Sequence, residues 1–260
     1  MVAGQNTYCQ YVEGLLAFSR QKEIHRRYSI SLWNCPLGAD VVVRSGNLSF
    51  RVHRNIVVPQ SGWFRDNLPP PNVDGTPVMV TVGFAPETVA HCLRFIYTDK
   101  VEICDIDTQN PWNAAHIPCC VLAYTTAVHL RMAKMTCHLL RVVENTSSEL
   151  GALICRDHIS QKLDCSKWVQ FSWHYQRALD IIVRGQPQKL MLPMRLAMAS
   201  ILDAVLFWVG KKLYEVGPGL YFVPAEPGYQ LKIQLRTEIR KYPAAAVTYA
   251  DTLAKDINIP

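Results

Sequence analysis

The sequence predicts an α+β fold, in which a small β-sheet flanked by a cluster of short helices is followed by an all-helical C-terminal region. The first half alternates short β-branched or apolar runs with helical periodicity, whereas the second half has helical periodicity alone. With 49% hydrophobic and 18% charged residues among 260, the chain has ample material for a core, in one large or two small domains.

A β-hairpin is predicted at the start of the sheet. The β-branched run Val41–Val43 leads into Ser45–Asn47, which is typical of a short turn because it contains glycine. Beyond the turn, Leu48, Phe50 and Val52 alternate with polar residues, so we expect the second strand to have one buried face.

Two short helices and a third strand are predicted to follow the hairpin. Asn55–Pro59 is too short to be an independent helix, and a second helical piece begins at Trp63. Pro69–Pro71 ends that piece, because proline lacks an N–H donor and biases its predecessor away from helical angles. The apolar run Val78–Val82 predicts the third strand.

An amphipathic helix is predicted from Pro86, because the first turn of a helix tolerates proline. Its apolar side chains recur at helical spacing, at Val89, Cys92, Leu93, Ile96 and Tyr97. The segments predicted beyond it are a short strand at Val101–Ile103, a polar loop at Asp105–Pro111, and helices near residues 117–128 and 135–143.

The second half begins near Ser148 and is predicted to be all helical. Trp168–Val183 and Met194–Val209 have helical periodicity, with Pro187 and Pro193 between them. Further helices are predicted at Leu231–Ile239 and, near the N-terminus, at Tyr11–Ser19.

Four motifs resemble those of the BTB/POZ domain family, and they occur in the family's order. They are Ala39–Val41 opening the first strand, Phe50–Arg54 ending the second, Ser61–Phe64 matching Ser-x-x-Phe, and Leu93–Thr98 matching Leu-x-x-Ile/Leu-Tyr-Thr. The resemblance covers Cys35–Asn145, and the helical remainder is similar to that of stand-alone fungal BTB proteins. It implies an N-terminal extension at residues 1–34, a BTB/POZ domain at 35–146 and a helical region at 147–260.

The resemblance implies a protein–protein interaction fold without catalytic activity or cofactors. Family members self-associate, recruit transcriptional co-regulators or act as substrate adaptors for cullin-type ubiquitin ligases. We therefore expect protein partners, namely a second copy in a homodimer or a cullin scaffold, and no direct binding of nucleic acid.

Two segments bear on these alternatives. Cullin adaptors often carry a hydrophobic-x-Glu motif in the loop leading to the third strand, and the matching segment Leu68–Pro77 contains no glutamate. Many family dimers exchange an N-terminal strand, and Tyr28–Trp33 is a plausible strand for that exchange.

The resemblance also indicates a candidate interaction pocket. Asp40 matches a family carboxylate in a charged pocket, close to a basic residue that matches Arg54. Because a buried carboxylate is costly unless paired, we expect Asp40 in an ion pair, and the alternative is an exposed aspartate at the strand end. His53 is expected to anchor the strand-to-helix corner through hydrogen bonds. The fold signature is Trp63, Phe64, Leu93, Ile96 and Tyr97, with Trp63 and Phe64 packed into the core.

The pattern of cysteines is more typical of buried core residues than of a metal site. The chain has nine cysteines and no Cys-x-x-Cys pair, so reduced and mostly buried thiols are expected. Adjacent cysteines on a helix point apart, which disfavours a zinc site built from Cys119 and Cys120. The candidate metal-binding cluster in this part of the sequence combines these two cysteines with His116, His129, Cys137 and His138. A cysteine-dependent enzyme, with a lowered-pKa thiol beside a histidine, is the alternative from another functional class.

Charge and hydropathy favour a cytoplasmic or nuclear protein that does not enter a membrane. The net charge of +6 is mild for this length, and the basic stripe of Lys232, Arg236 and Arg240 is typical of a solvated helix face. No basic and apolar signal segment opens the chain. The longest apolar run, Ala197–Val209, is shorter than the ~18 residues a spanning helix requires.

Overall fold

A computed structural model describes residues 28–101, 107, 110, 113–159, 168–184 and 188–215 of the chain. It divides into two compact units, and the first of them ends at Val101. The division falls inside the segment 35–146 that the sequence predicts as one domain, and those domain bounds stay a prediction. The predicted helices at Tyr11–Ser19 and Leu231–Ile239 lie outside the described residues, as does most of the region 101–111.

The first unit contains a mixed three-stranded sheet in the order β2-β1-β3. Strand β1 (Val41–Ser45) pairs antiparallel with β2 (Leu48–Val52) and parallel with β3 (Val78–Thr81). The predicted hairpin is confirmed, and its two-residue turn opens with Gly46 at φ 54°, a backbone angle that glycine adopts without steric cost.

One face of the sheet forms part of the core. Val41, Val43, Val52 and Val78 are all at most 4% exposed, and the pleat places them on the same side of the sheet. Leu48 is the exception, because it lies at the outer end of edge strand β2 and is 44% exposed. The expectation that Leu48 shares the buried face is therefore wrong.

Three helices of this unit match the predicted order. They are α2 (Arg54–Gln60), α3 (Gly62–Asn67) and α4 (Pro86–Thr98). Ser61 separates α2 from α3, and its Oγ accepts a hydrogen bond from the Phe64 N–H at 3.2 Å, which caps α3. Helix α4 buries the predicted apolar stripe and ends at Asp99, in the left-handed conformation.

Residues 28–34 form helix α1, which contradicts the strand considered for Tyr28–Trp33. The Ser31 hydroxyl donates to the Tyr28 carbonyl at 2.8 Å within this helix. The Trp33 ring lies against that of Tyr97, with centroids 5.6 Å apart. A run this short fits either a helical or an alternating pattern, so tertiary packing of the tryptophan decides the outcome.

Within its described residues, the regular elements of the second unit are all helices. Its helices are α5 (His116–His129), α6 (Ala133–Ile159), α7 (Trp168–Arg184) and α8 (Gln188–Glu215). Helix α6 runs without a break through Ser148, near which the sequence predicts the second half to begin. Pro193 lies inside α8, where it was expected to separate two helices. The buried stripe of Met191, Met194, Met198 and Ile201 continues across the proline, so packing outweighs the lost hydrogen bond.

Within the described part of the chain, none of the helices combines the length and the apolar character needed to cross a membrane.

Candidate interaction site

The structure brings Asp40 and Arg54 together where the sheet meets α2. Asp40 directly precedes β1, and its Oδ1 accepts a hydrogen bond from the Arg54 backbone N–H at 2.8 Å. The Arg54 Nε lies 4.0 Å from Asp40 Oδ2. The Arg54 guanidinium also donates to the Pro69 carbonyl, which ties α2 to the segment after α3.

The Asp40 carboxylate is both an ion-pair partner and a surface group. Its side chain is 48% exposed and that of Arg54 is 23% exposed, so solvent screens the charge interaction. The main structural role of Asp40 is therefore its hydrogen bond to the first turn of α2. There the N-cap residue, His53, provides no side-chain cap.

His53 is buried and uses both ring nitrogens. Its Nε2 lies 2.9 Å from the Leu37 carbonyl, and its Nδ1 lies 2.9 Å from the Tyr97 hydroxyl. A carbonyl can only accept, so Nε2 carries the proton and Nδ1 accepts from the phenol. The phenol oxygen in turn accepts from the His53 backbone N–H at 2.9 Å, which satisfies every member of the network.

The Tyr97 hydroxyl is held in its protonated form by this environment. Burial raises the pKa of Tyr97 to about 12, against the lowering effect of the hydrogen bond from the His53 N–H. The negative charge of Asp40 raises the pKa further, by a smaller amount. Tyr97 therefore remains a hydrogen-bond donor to His53 at neutral pH.

The hydrogen bonds of His53 hold Leu37 at the surface. Its side chain is 76% exposed, while its carbonyl accepts from His53 Nε2. The Leu37 N–H donates to the Cys35 carbonyl at 2.7 Å, and Gly38 follows at φ 74°, so the turn is fixed on both sides. We name Leu37, Asp40, His53, Arg54 and Pro69 the Asp40 corner. Leu37 was not predicted from the sequence, because its only local signal is the Pro-Leu-Gly turn.

A second exposed apolar side chain lies at the tip of the loop that precedes β3. Asp74 Oδ1 accepts from the Thr76 N–H at 3.0 Å and from the Thr76 hydroxyl at 2.7 Å, and Asn72 Nδ2 donates to the Thr76 carbonyl. These bonds to Thr76 lower the pKa of the Asp74 carboxyl. The tip residue Val73 is fully exposed on this braced turn.

Four of the five fold-signature residues lie in the core of the first unit. Phe64, Leu93, Ile96 and Tyr97 are each at most 3% exposed. Trp63 is half-buried, with its ring edge-to-face against Phe64 at 5.2 Å, so the expectation of a fully packed Trp63 is wrong.

The histidines and cysteines of the second unit have structural contacts. His116 Nε2 lies 3.3 Å from the Thr146 hydroxyl, which itself donates to the Val142 carbonyl. Cys120 is disulfide-bonded, which contradicts the expectation of a reduced thiol there. The cysteines described as free are Cys35, Cys92, Cys119 and Cys137. Among the described side chains, no group of three or more histidines, cysteines or carboxylates is placed to hold a metal ion.

Comparison with known proteins identifies a family for part of the chain. No curated protein matches the chain. A family model described as the BTB/POZ domain matches residues 31–117, a range that runs from α1, through the sheet and α4, to the start of α5. The mixed sheet with its short helices is the architecture that this family implied. Residues 31–117 of the chain are therefore a BTB/POZ domain, a protein–protein interaction module.

Proposed function

We propose that this chain is a non-catalytic adaptor that self-associates and recruits a protein partner through the Asp40 corner. The observation that carries the proposal is that Leu37 is exposed to solvent on a backbone of fixed conformation. A leucine that is 76% exposed has its backbone fixed by a buried histidine, beside a partly exposed ion pair. An apolar anchor bordered by polar groups is the composition that protein interfaces favour.

The fixed geometry of the corner favours binding because little entropy is lost on association. The turn at Leu37 is held by backbone hydrogen bonds and by His53, and Arg54 is held by Asp40 and Pro69. A surface whose conformation is already set loses less entropy when a partner docks.

The chemistry of the corner supports a non-catalytic role over the cysteine-dependent enzyme. His53 has neither ring nitrogen available as a general base, because Tyr97 and Leu37 occupy both. Burial raises the pKa of the Cys92 thiol to about 12, which suppresses the thiolate that a nucleophile needs. A thiol-reactivity profile of the full chain at neutral pH tests this, and one hyper-reactive cysteine would contradict the proposal.

The proposal is tested with Leu37→Asp in the full chain. The matched control is Leu190→Asp, which changes another exposed leucine, at 51%, in the second unit. We expect Leu37→Asp to lower the mass measured by light scattering and to remove the proteins that co-purify from native cells, while Leu190→Asp keeps both. If Leu37→Asp retains its mass and its partners, the corner is not the contact surface.

A second candidate is a substrate adaptor for a cullin-type ubiquitin ligase. The observation that favours it is the braced tip of Val73 and Asp74, in the loop where the family carries its hydrophobic-x-Glu motif. The absence of glutamate from this loop counts against it. In this role the helical unit, which resembles that of stand-alone fungal BTB proteins, would read the substrate, and the chain would work in the cytoplasm or nucleus.

Affinity purification of the tagged chain separates the two candidates. A cullin scaffold that co-purifies near stoichiometry and is lost in Val73→Asp supports the adaptor for a ligase. Fluorescent tagging in the same cells reports the compartment. If no cullin co-purifies while other proteins are lost in Leu37→Asp, the chain recruits its partner outside a ligase.

A further inference from the structure

The face of the sheet opposite the core carries two arginines and no carboxylate. In the strand register Val42 lies between Arg51 and Met79, and Arg44 lies between Ser49 and Thr81. These residues have the opposite parity to the buried valines, so they share the other side of the sheet. We call them the outer sheet face: Val42, Arg44, Ser49, Arg51, Met79 and Thr81.

The outer sheet face presents apolar surface between two cations. Val42 is half-buried, Met79 is 50% exposed, and both arginines are exposed. Arg44 and Arg51 are diagonal neighbours across β1 and β2, and such positions lie ~7–8 Å apart. Like charges at this separation repel each other, so an anion that binds both would relieve that repulsion.

These two arginines differ from others of the first unit in having no internal partner. Arg54 lies against Asp40, and Arg65 Nε lies 3.8 Å from Asp66 Oδ1. Within the residues that the structure describes, the side chains of Arg44 and Arg51 take part in no ion pair and no hydrogen bond. Their guanidinium groups keep all five donors for a ligand.

The combination of two cations and two apolar side chains on this face favours one kind of partner over the others. A second copy docked symmetrically on this face would place arginines against arginines, which disfavours self-association here. A nucleic acid would gain from phosphate contacts with two cations but not from the apolar side chains of Val42 and Met79. A protein segment with carboxylates around an apolar residue complements both features.

We propose that the outer sheet face binds an acidic segment of a partner protein. Carboxylates of that segment face Arg44 and Arg51, and an apolar side chain between them packs on Val42 and Met79. This surface goes beyond the proposed function, because none of its six residues belongs to the Asp40 corner or to the loop at Val73.

The test uses the full chain and a fluorescent, capped peptide of sequence Glu-Glu-Leu-Glu-Glu, with binding followed by anisotropy. We expect saturable binding that the double variant Arg44→Glu/Arg51→Glu weakens by about tenfold or more. The matched control, Arg65→Glu/Lys100→Glu, makes the same charge change at two other exposed positions and should change affinity by less than about twofold. Met79→Ser should lower the affinity for this peptide and leave the affinity for the peptide Glu-Glu-Ser-Glu-Glu unchanged.

Any of the following results would contradict the proposal. Equal losses in the two double variants would mean that net charge alone attracts the peptide. Tighter binding of oligothymidylate, lost in Arg44→Glu/Arg51→Glu, would make the face a nucleic-acid site, and the absence of saturable peptide binding would leave it a solvated face. Arg44→Gln/Arg51→Gln, which removes both charges and keeps polar side chains, replaces the charge reversal if that variant does not fold. Leu37→Asp should leave peptide binding intact, so this proposal and the proposed function fail separately.

Discussion

The hydroxyl of Tyr97 and the imidazole of His53 form a closed pair of hydrogen bonds between α4 and the strand-to-helix corner. The Tyr97 oxygen accepts from the His53 backbone N–H and donates to His53 Nδ1, each at 2.9 Å. One hydroxyl thus fixes both the backbone and the ring of His53, whose other nitrogen fixes the turn that displays Leu37.

Removing that hydroxyl should destabilise the first unit. Tyr97→Phe leaves a buried N–H and a buried ring nitrogen without their partner, so we expect the free energy of unfolding to fall by about 1–3 kcal/mol. Urea denaturation followed by tryptophan fluorescence measures it, since Trp33 lies against Tyr97. Tyr28→Phe removes the hydroxyl of a tyrosine that is 63% exposed and serves as the control. An equal loss in the two variants would contradict the role given to the network.

Stability should also fall at alkaline pH because of Tyr97. Its pKa rises from 10.0 in the unfolded chain to about 12 in the fold, since burial disfavours the phenolate. The folded state therefore holds this proton more tightly, and that contribution is complete below pH 10 and is lost as the pH rises through about 12.

The alkaline prediction is measured by urea denaturation at a series of pH values. Burial also raises the pKa of Cys92 to about 12 and raises that of Tyr124, so the wild type loses stability from several groups. The informative quantity is the difference between wild type and Tyr97→Phe, which should shrink between pH 10 and 12. A difference that stays constant over this range would show that Tyr97 ionises normally in the fold.

The sequence predicts the elements whose periodicity is strong and the contacts that a motif encodes. The alternation of Leu48, Phe50 and Val52 predicted β2 correctly although Leu48 is exposed, and the apolar stripe of α4 predicted a helix because burial of one face imposes the helical period. The proximity of Asp40 and Arg54 was expected from the family motifs and is present. Helix α1 was not predicted, since its few residues fit two periods and only the contact of Trp33 with Tyr97 distinguishes them.

The apolar parts of the candidate surfaces depend on contacts between residues distant in the chain. Leu37 is fixed by His53, 16 positions later, and no local pattern encodes a carbonyl that accepts from an imidazole. The outer sheet face needs the parallel register of β1 with β3, which brings Met79 beside Val42 across an intervening stretch of helices and loop. Pairings of this kind are set by the tertiary fold and leave no periodic signal in the sequence.

Asp40 should stabilise α2 through its hydrogen bond more than through its charge. Asp40→Ala removes the acceptor of the Arg54 N–H, and we expect a loss of about 1 kcal/mol, as for other residues that satisfy a helix N-terminus. Asp40→Asn keeps an amide oxygen in that place and should cost less than half as much, because the ion pair is exposed to solvent. Asp66→Ala, in the exposed pair with Arg65, is the control and should change stability by less than about 0.5 kcal/mol. Equal losses in the two Asp40 variants would assign the effect to charge.

The hairpin turn gives a prediction that depends on backbone conformation. Gly46 has φ 54°, and a Cβ added there would lie 3.1 Å from Cγ of Pro86, the first residue of α4. Gly46→Ala therefore combines a left-handed alanine with a tight contact, and we expect it to lower the free energy of unfolding by about 1–2 kcal/mol. Gly83→Ala is the matched control, since nothing lies within 4 Å of its added Cβ and its φ is not in the left-handed region. Urea denaturation of both variants measures the difference. If Gly46→Ala is as stable as Gly83→Ala, the turn relaxes without cost and does not fix the register of β1 and β2.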